Sequence, residues 1–254
     1  MGVLNDIINN KRSELPALRA LKLPPASGRP PAVDLRRQPG QSLHFICEIK
    51  LRSPSAGPLS TRLSVAERAR SYEQNGAHMV SVLCDAAYFD GSYEHLRLAR
   101  SGCALPLLCK EFVVDECQLD AAYAFGASAV LLIARCLSPT LLTRLMSAAH
   151  ERQLTPLVEV YTEQEARLAL DSGATFIGVN ARDLDSLDMD AERAERIIES
   201  MPPSVVVAHL SGVKSPQDVR RIASGRADAA LMGEVLMRRD DPAETLAELV
   251  SAAL

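Results

Sequence analysis

Pro156-Leu157-Val158-Glu159-Val160, a segment from Glu163 to Ser172, Gly173-Ala174, and Phe176-Ile177-Gly178-Val179-Asn180 follow one another along the chain. Two short runs rich in branched apolar residues flank a segment with helical periodicity. Each run is too short for a globular helix and reads as a buried strand. Thr162, with Glu165 three residues on, has the form of a capping box, and Gly173 falls where the helix should stop. The stretch is a strand–helix–strand unit, the building block of a parallel sheet.

The same grammar extends in both directions. Strands are expected at Phe45–Lys50, Met79–Cys84, Leu105–Lys110, Ala129–Ile133, Pro156–Val160, Phe176–Asn180, Val205–His209 and Ala229–Met232. Helical patterns lie between them at Ser64–Asn75, Glu116–Phe125, Pro139–Arg152, Glu163–Ser172, Asp190–Met201 and Pro216–Ser224. Ser215-Pro216 puts proline at a first helical position, and Gly76 and Gly126 repeat the stop seen at Gly173. Eight such units fit an α/β fold closed as a (β/α)8 TIM barrel. An open dinucleotide-binding sheet would carry a glycine-rich turn after its first strand, whereas Glu48-Ile49-Lys50 runs into Leu51-Arg52-Ser53-Pro54-Ser55. Ahead of the barrel, Leu4, Ile7 and Ile8 recur at helical spacing, and Leu23–Pro31 is a Pro-rich connector. The expected organisation is a single domain over 1–254, with an N-terminal helical extension at 1–42 and the barrel at 43–254.

The chain has 254 residues, 47% hydrophobic and 24% charged, which is ample for one barrel core and excludes global disorder. Aromatics are 4% and Trp is absent, so the core must be aliphatic. A net charge of −4 argues against a nucleic-acid partner but permits a local cationic pocket. No apolar run approaches the roughly 18 residues of a membrane span. Met1–Arg12 has no basic region followed by a hydrophobic stretch, so no leader is expected, and the protein reads as cytoplasmic. The six cysteines form no C-x-x-C pair and read as reduced, mostly buried thiols.

Chemistry in a barrel gathers where strands end. Glu48 and Lys50, Lys110, Glu159 and Asn180 interrupt apolar strands near their C-termini, with Arg182 just beyond. Desolvated charge is costly unless it is paired or put to use. Such a Lys/Glu set suits general acid–base chemistry, with a Schiff-base lysine as an alternative. Ser211-Gly212 and Gly233-Glu234, after the last two strands, read as a phosphate site.

These residues resemble the indole-3-glycerol phosphate synthase family. The matching pieces are Glu48-Ile49-Lys50 with Ser53-Pro54-Ser55, Tyr88-Phe89-Asp90-Gly91-Ser92, Lys110-Glu111-Phe112 and Leu131-Leu132-Ile133. Leu157–Val160, Ile177-Gly178-Val179-Asn180-Ala181-Arg182-Asp183-Leu184, Ser211-Gly212-Val213 and Met232-Gly233-Glu234 with Leu236-Met237 follow in family order. The resemblance implies ring closure of 1-(2-carboxyphenylamino)-1-deoxyribulose 5-phosphate with loss of CO2 and water. It implies no metal or organic cofactor, a small phosphosugar substrate, and no nucleic-acid or membrane partner; a monomer is expected.

Carried over, Lys110 is the acid on the substrate carbonyl, Lys50 a second acid or carboxylate ligand, and Glu159 the base in dehydration. Glu48 and Asn180 position hydroxyls and the lysines. Phe112, Arg182, Phe89, Leu210 and Leu231 line the substrate pocket, and Ser53, Ser211, Gly212, Gly233 and Glu234 hold the phosphate.

One position departs from the family. Its usual Ser-Glu-Ser-Gly after strand seven is replaced by Ala208-His209-Leu210-Ser211-Gly212, so Leu210 stands for a glutamate. Alternation aims Leu210 inward and His209 outward. Two alternatives stand beside the lyase: another phosphosugar barrel of isomerase type, and a phosphosugar-binding barrel without turnover. Cys84 is expected as a buried thiol, Asp85, Asp90 and Asp115 as caps, Arg238–Asp241 as solvated surface, and Arg52–Leu63 as a mobile lid.

Overall fold

The computed structural model describes residues 2–26, 28, 30–54 and 56–253. Ser27 and Arg29 of the Pro-rich connector, and Ser55 of the Ser-Pro-Ser motif, lie outside the described residues, as do Met1 and Leu254. Eight strands form the barrel: β1 (His44–Ile49), β2 (Met79–Leu83), β3 (Leu107–Lys110), β4 (Ala129–Ile133), β5 (Thr155–Val160), β6 (Phe176–Asn180), β7 (Val206–Leu210) and β8 (Ala229–Met232). All pair in parallel, and β1 closes the ring by pairing with both β8 (Cys47 opposite Met232) and β2 (Ile49 opposite Val82). The interior is packed with Ala, Val, Leu, Ile and Met, as the shortage of aromatics requires.

Helices return the chain between strands: α2 (Val65–Gln74), α3 (Tyr93–Gly102), α4 (Glu116–Ala124), α5 (Pro139–Glu151), α6 (Glu163–Asp171), α7 (Ala191–Glu199), α8 (Pro216–Ala223) and, after β8, α9 (Ala243–Ser251). Gly76, Gly126 and Gly173 have φ of 97°, 94° and 86°, the left-handed backbone of a helix stop. Ser64 with Glu67, Asp115 with Gln118, and Ser215 with Asp218 make reciprocal capping boxes. At Thr162 only half of the expected box forms. Its hydroxyl accepts from Glu165 N, but the Glu165 carboxylate accepts from Tyr161 N and pairs with Arg135 instead.

Three strand expectations match residue for residue and the others shift by one or two positions. The sequence reading missed α3, whose buried Leu96, Ala99 and Gly102 are thinly spread among charges, and also α9.

An additional helix, α1 (Val3–Ala20), precedes the barrel and crosses its C-terminal rim. Leu4 N donates to Asp185 Oδ1 at 3.2 Å, beyond β6, and Arg19 pairs with Asp115 at 2.7 Å, at the start of α4. The chain then runs to the opposite end of the barrel. There Arg36 donates to the carbonyls of Pro203 and Ser204, and Arg37 to those of Ala223 and Gly225.

His209, on β7, lies on the face opposite Leu210 and is 1% exposed. Neither ring nitrogen has a hydrogen-bond partner among the described residues. Burial holds its pKa down at about 4, against an ordinary 6.5. The unfolded chain therefore binds the proton first as pH falls, so this site costs stability from about pH 6.5 downward and is neutral above it. On lowering pH from 7 to 5, the protein is expected to lose about 2 kcal/mol more unfolding free energy than a His209→Leu variant. Parallel denaturation curves at the two pH values check this, and equal losses would refute it.

Candidate active site

The C-terminal rim encloses a cavity of about 530 Å³ roofed by Val3, Leu4 and Ile7 of α1. All fifteen residues selected from the sequence line it: Glu48, Lys50, Lys110, Glu159 and Asn180; Phe89, Phe112, Arg182, Leu210 and Leu231; and Ser53, Ser211, Gly212, Gly233 and Glu234. They converge because parallel strands in a closed barrel all end at one rim.

Glu48 is the hub. Its Oε1 lies 2.9 Å from Lys50 Nζ and its Oε2 3.3 Å from Lys110 Nζ, with the Ser81 hydroxyl 3.5 Å from Oε2. Burial alone would raise the Glu48 carboxyl, but Lys50 and Lys110 outweigh it and hold the pKa at about 2. Burial opposes the Lys110 charge as well, yet Glu48 and Glu159 raise that ammonium above the ordinary lysine value. Both lysine side chains are only partly covered, 16% and 18% exposed. Gly233 makes room for this arrangement, since a Cβ there would stand 2.6 Å from Glu48 Oε1.

Glu159 is oriented differently. It accepts from Asn180 Nδ2 at 3.0 Å, while Asn180 Oδ1 accepts from Arg182 N at 2.9 Å, which fixes the amide's orientation. Of the carboxylates lining the cavity, Glu159 alone among the described residues has no ion-pair partner within 4.0 Å: Glu48 has its lysines, Glu111 has Lys11 and Glu234 has Arg238. The cavity therefore holds two lysine side chains tied to Glu48 and, close enough to Lys110 to raise it, a carboxylate without an ion pair of its own.

At the mouth, Ser211 and Gly212 take left-handed backbone (φ 72° and 89°), and Gly233 precedes the helical turn Glu234–Met237. Arg182, Lys214, Arg238 and Arg239 bring positive charge to the same opening. Arg238 and Arg239 are exposed, as the surface reading expected, but they also form the rim. Such a mouth favours an anion although the chain as a whole is negative. Phe89 and Phe112, with ring centroids 6.1 Å apart, build an apolar wall. Leu210 faces the cavity and is 1% exposed, packed so closely over Gly178 that a Cβ on Gly178 would meet it at 2.5 Å. Among the described residues no group of three His, Cys, Asp or Glu side chains is arranged to hold a metal ion.

The remaining expectations resolve case by case. Asp85 and Asp115 cap helical segments, and Asp90 follows the turn Ala86–Phe89 in left-handed conformation. Cys84 is buried, with its sulfur 3.6 Å from that of Cys109. Cys47, Cys84, Cys103 and Cys109 are buried thiols, while Cys117 and Cys136 are only partly covered. Arg52–Leu63 contains a small hairpin (Arg52–Ser53 with Gly57–Pro58), tied by Arg52 to Asp90 at 3.0 Å.

The idea that the segment before Phe45 covers the pocket agrees with Val3, Leu4 and Ile7 in its lining, whereas sequence reasoning overlooked Lys214 and a buried ion cluster of Lys11 with Asp85 and Glu111. The last had a signal: Leu4, Ile7, Ile8 and Lys11 follow the spacing of one helix face, so Lys11 belongs to the buried stripe.

A sequence model described as "Indole-3-glycerol phosphate synthase" matches residues 8–249. Curated relatives include "Indole-3-glycerol phosphate synthase 2" of Streptomyces coelicolor, 41% identical over 257 residues and covering 98% of this chain and 99% of that one. The indole-3-glycerol phosphate synthase of an Exiguobacterium species is 38% identical over 254 residues, covering 100% and 98%. Among solved structures, 3-hexulose-6-phosphate synthase from Salmonella typhimurium superposes with a TM-score of 0.67 at 11% identity, covering 83% of this chain and 98% of that one. Thiamine phosphate pyrophosphorylase from Pyrococcus furiosus gives 0.63 at 18%, covering 83% and 95%; both share the fold alone. Together with the barrel and its lined rim, the full-length matches show that this chain belongs to the indole-3-glycerol phosphate synthase family.

Proposed function

We propose that this protein closes the indole ring of 1-(2-carboxyphenylamino)-1-deoxyribulose 5-phosphate, releasing CO2 and water to give indole-3-glycerol phosphate. The observation that carries the reading is the pairing of Lys50 and Lys110 on Glu48 in the same cavity as Glu159, whose carboxylate has no ion-pair partner among the described residues. The family membership supports the same reaction.

Lys110 gives a proton to the ketone oxygen as the ring carbon bearing the carboxylate bonds to the ketone carbon. Loss of CO2 returns the bonding pair to the ring and restores aromaticity. A second proton, from Lys50 or a reprotonated Lys110, turns the new hydroxyl into water while Glu159 takes a proton from the adjacent methylene carbon. Glu48 holds the two ammonium groups in place, and Asn180 aims Glu159. Phe89, Phe112, Arg182, Leu210 and Leu231 enclose the sugar and ring. The phosphate sits at the mouth, against Ser53, Ser211, Gly212, Gly233 and Glu234, the last two through backbone N–H groups. No cofactor enters this scheme, and the expected working unit is a monomer in the cytoplasm.

Leu210 supports a second reading, phosphosugar binding without turnover, because it puts a group that can neither accept nor give a proton on the cavity wall. Loss of one charge-assisted hydrogen bond costs on the order of 1.5–3 kcal/mol, or roughly one to two powers of ten in rate, so a slower enzyme is the expectation.

Two variants test the scheme by indole fluorescence, which is unobscured because the chain has no Trp. Lys110→Ala should cut kcat by about 10²-fold or more while leaving affinity for inorganic phosphate within about twofold. A variant that keeps most of its kcat would remove Lys110 from the acid role. Leu210→Glu should remain folded and shift kcat by about tenfold, because the new carboxylate enters the same cavity. An unmoved kcat would mean that the position is silent. Substrate bound by the parent protein without any indole signal would favour the binding-only reading.

A further inference from the structure

Beneath α1 lies an ion cluster that the scheme above does not use. Lys11 Nζ stands 2.8 Å from Asp85 Oδ2, 3.2 Å from Glu111 Oε1 and 2.8 Å from Glu14 Oε2. The side chains of Lys11, Asp85 and Glu111 are 4%, 0% and 2% exposed, whereas Glu14 reaches solvent. One buried cation thus serves two buried carboxylates from separate loops. Lys11 is the sole partner of Asp85 Oδ2 among the described residues.

We propose that Lys11 is a positioning residue of the candidate active site, locking the loops after β2 and β3 so that Phe89 and Phe112 face the substrate; this rests on the lyase reading.

The covalent connections carry the argument. Asp85 heads the turn Ala86–Phe89, where its Oδ1 accepts from Tyr88 N at 2.7 Å and its carbonyl accepts from Gly91 N at 2.7 Å. That turn delivers Phe89 to the cavity. Glu111 follows Lys110 directly, and its Oε1 accepts from Phe112 N at 2.7 Å, which orients Phe112. The two rings that meet across the cavity wall therefore hang from the two carboxylates that Lys11 joins. Burial pushes Glu111 up to about 7 even with Lys11 beside it, so loss of the ammonium would leave a carboxyl that no longer holds a charge there.

Stability alone is a poor explanation. A buried ion cluster is often matched or exceeded in stability by apolar residues of similar volume, whereas removing one partner strands the rest. What the cluster supplies is directional. It is satisfied only when α1, the Asp85 turn and the Glu111 loop are seated together. Lys110 is held separately by Glu48, so the expected loss falls on substrate binding more than on the chemical step.

Hydrogen exchange and steady-state kinetics on the parent chain, Lys11→Met and Lys11→Arg test this. Lys11→Met should speed exchange about tenfold or more at 85–93 and 110–115, leave α6 unchanged, and raise KM about tenfold with kcat within about threefold. Lys11→Arg, which keeps the charge, should restore both values to within about threefold. Exchange that rises evenly along the chain with KM unmoved would make Lys11 a mere structural tie and overturn the proposal, as would no change in either readout. Should Lys11→Met not fold, Glu111→Gln carries the test, since it weakens the Lys11 tie but keeps an acceptor for Phe112 N. A KM rise of about threefold with local exchange is then expected, and its absence overturns the proposal. A parent that binds but never turns over the substrate counts against the lyase reading alone. A missing local exchange pattern in a parent that does turn over counts against Lys11 alone.

Discussion

Two ammonium groups cannot share a half-desolvated cavity unless something of opposite sign stands between them, and here that is Glu48. Their mutual repulsion is strong at low effective dielectric, while a carboxylate touching both turns the set into a bound, singly positive unit. Much of the surrounding structure can be understood as what this contact requires. Glu48 must point inward from β1, the strand that closes the barrel between β8 and β2. A slip of one residue would turn Glu48 toward the helices and carry both Lys50 and the closure register with it. Gly233 at the end of β8 must lack a side chain, or the carboxylate could not reach its place. Cys47 and Ile49, the neighbours of Glu48 on the strand, are fully buried, so the strand has no freedom to accommodate a different pairing.

The fold was legible wherever local chemistry decided it. Strands such as Ala129–Ile133 and Phe176–Asn180 are buried on both faces, so an uninterrupted apolar run marks them out, and left-handed glycines punctuate the helices between. The site was legible for a related reason: charges such as Glu48, Lys110 and Glu159 have no place in an apolar strand unless they are paired or used, so their positions alone gather them at one rim. What escaped notice depends on contacts between distant segments. Lys11 reads as an ordinary polar helix position until Asp85 and Glu111 are seen beneath it. Glu165 looks like a capping-box partner until Arg135, thirty residues earlier, competes for it. In α3 the buried residues are few and small, and what makes the helix recognisable is its packing against α2.

Leu210 shows how a barrel can change one wall without disturbing its frame. Because side chains alternate along β7, the substitution alters the cavity while His209, one residue earlier, stays under the helical layer. Leu210 fills the space above Gly178 by dispersion and apolar burial. The cavity keeps a carboxylate without an ion pair in Glu159, and Arg182, Lys214, Arg238 and Arg239 make its mouth positive. A cationic opening on a negative molecule draws anions by focusing, an effect that weakens with salt.

The staples made by Arg36 and Arg37 change what kind of object the N-terminal helix is. They fix the chain at the far end of the barrel, leaving the intervening chain as a tether between that anchor and the rim. The helix is then an intramolecular ligand of its own barrel, present at an effective concentration on the order of millimolar, and it re-docks without a diffusional search. A single cut in the tether would turn the same helix into a peptide that must find the rim by mass action.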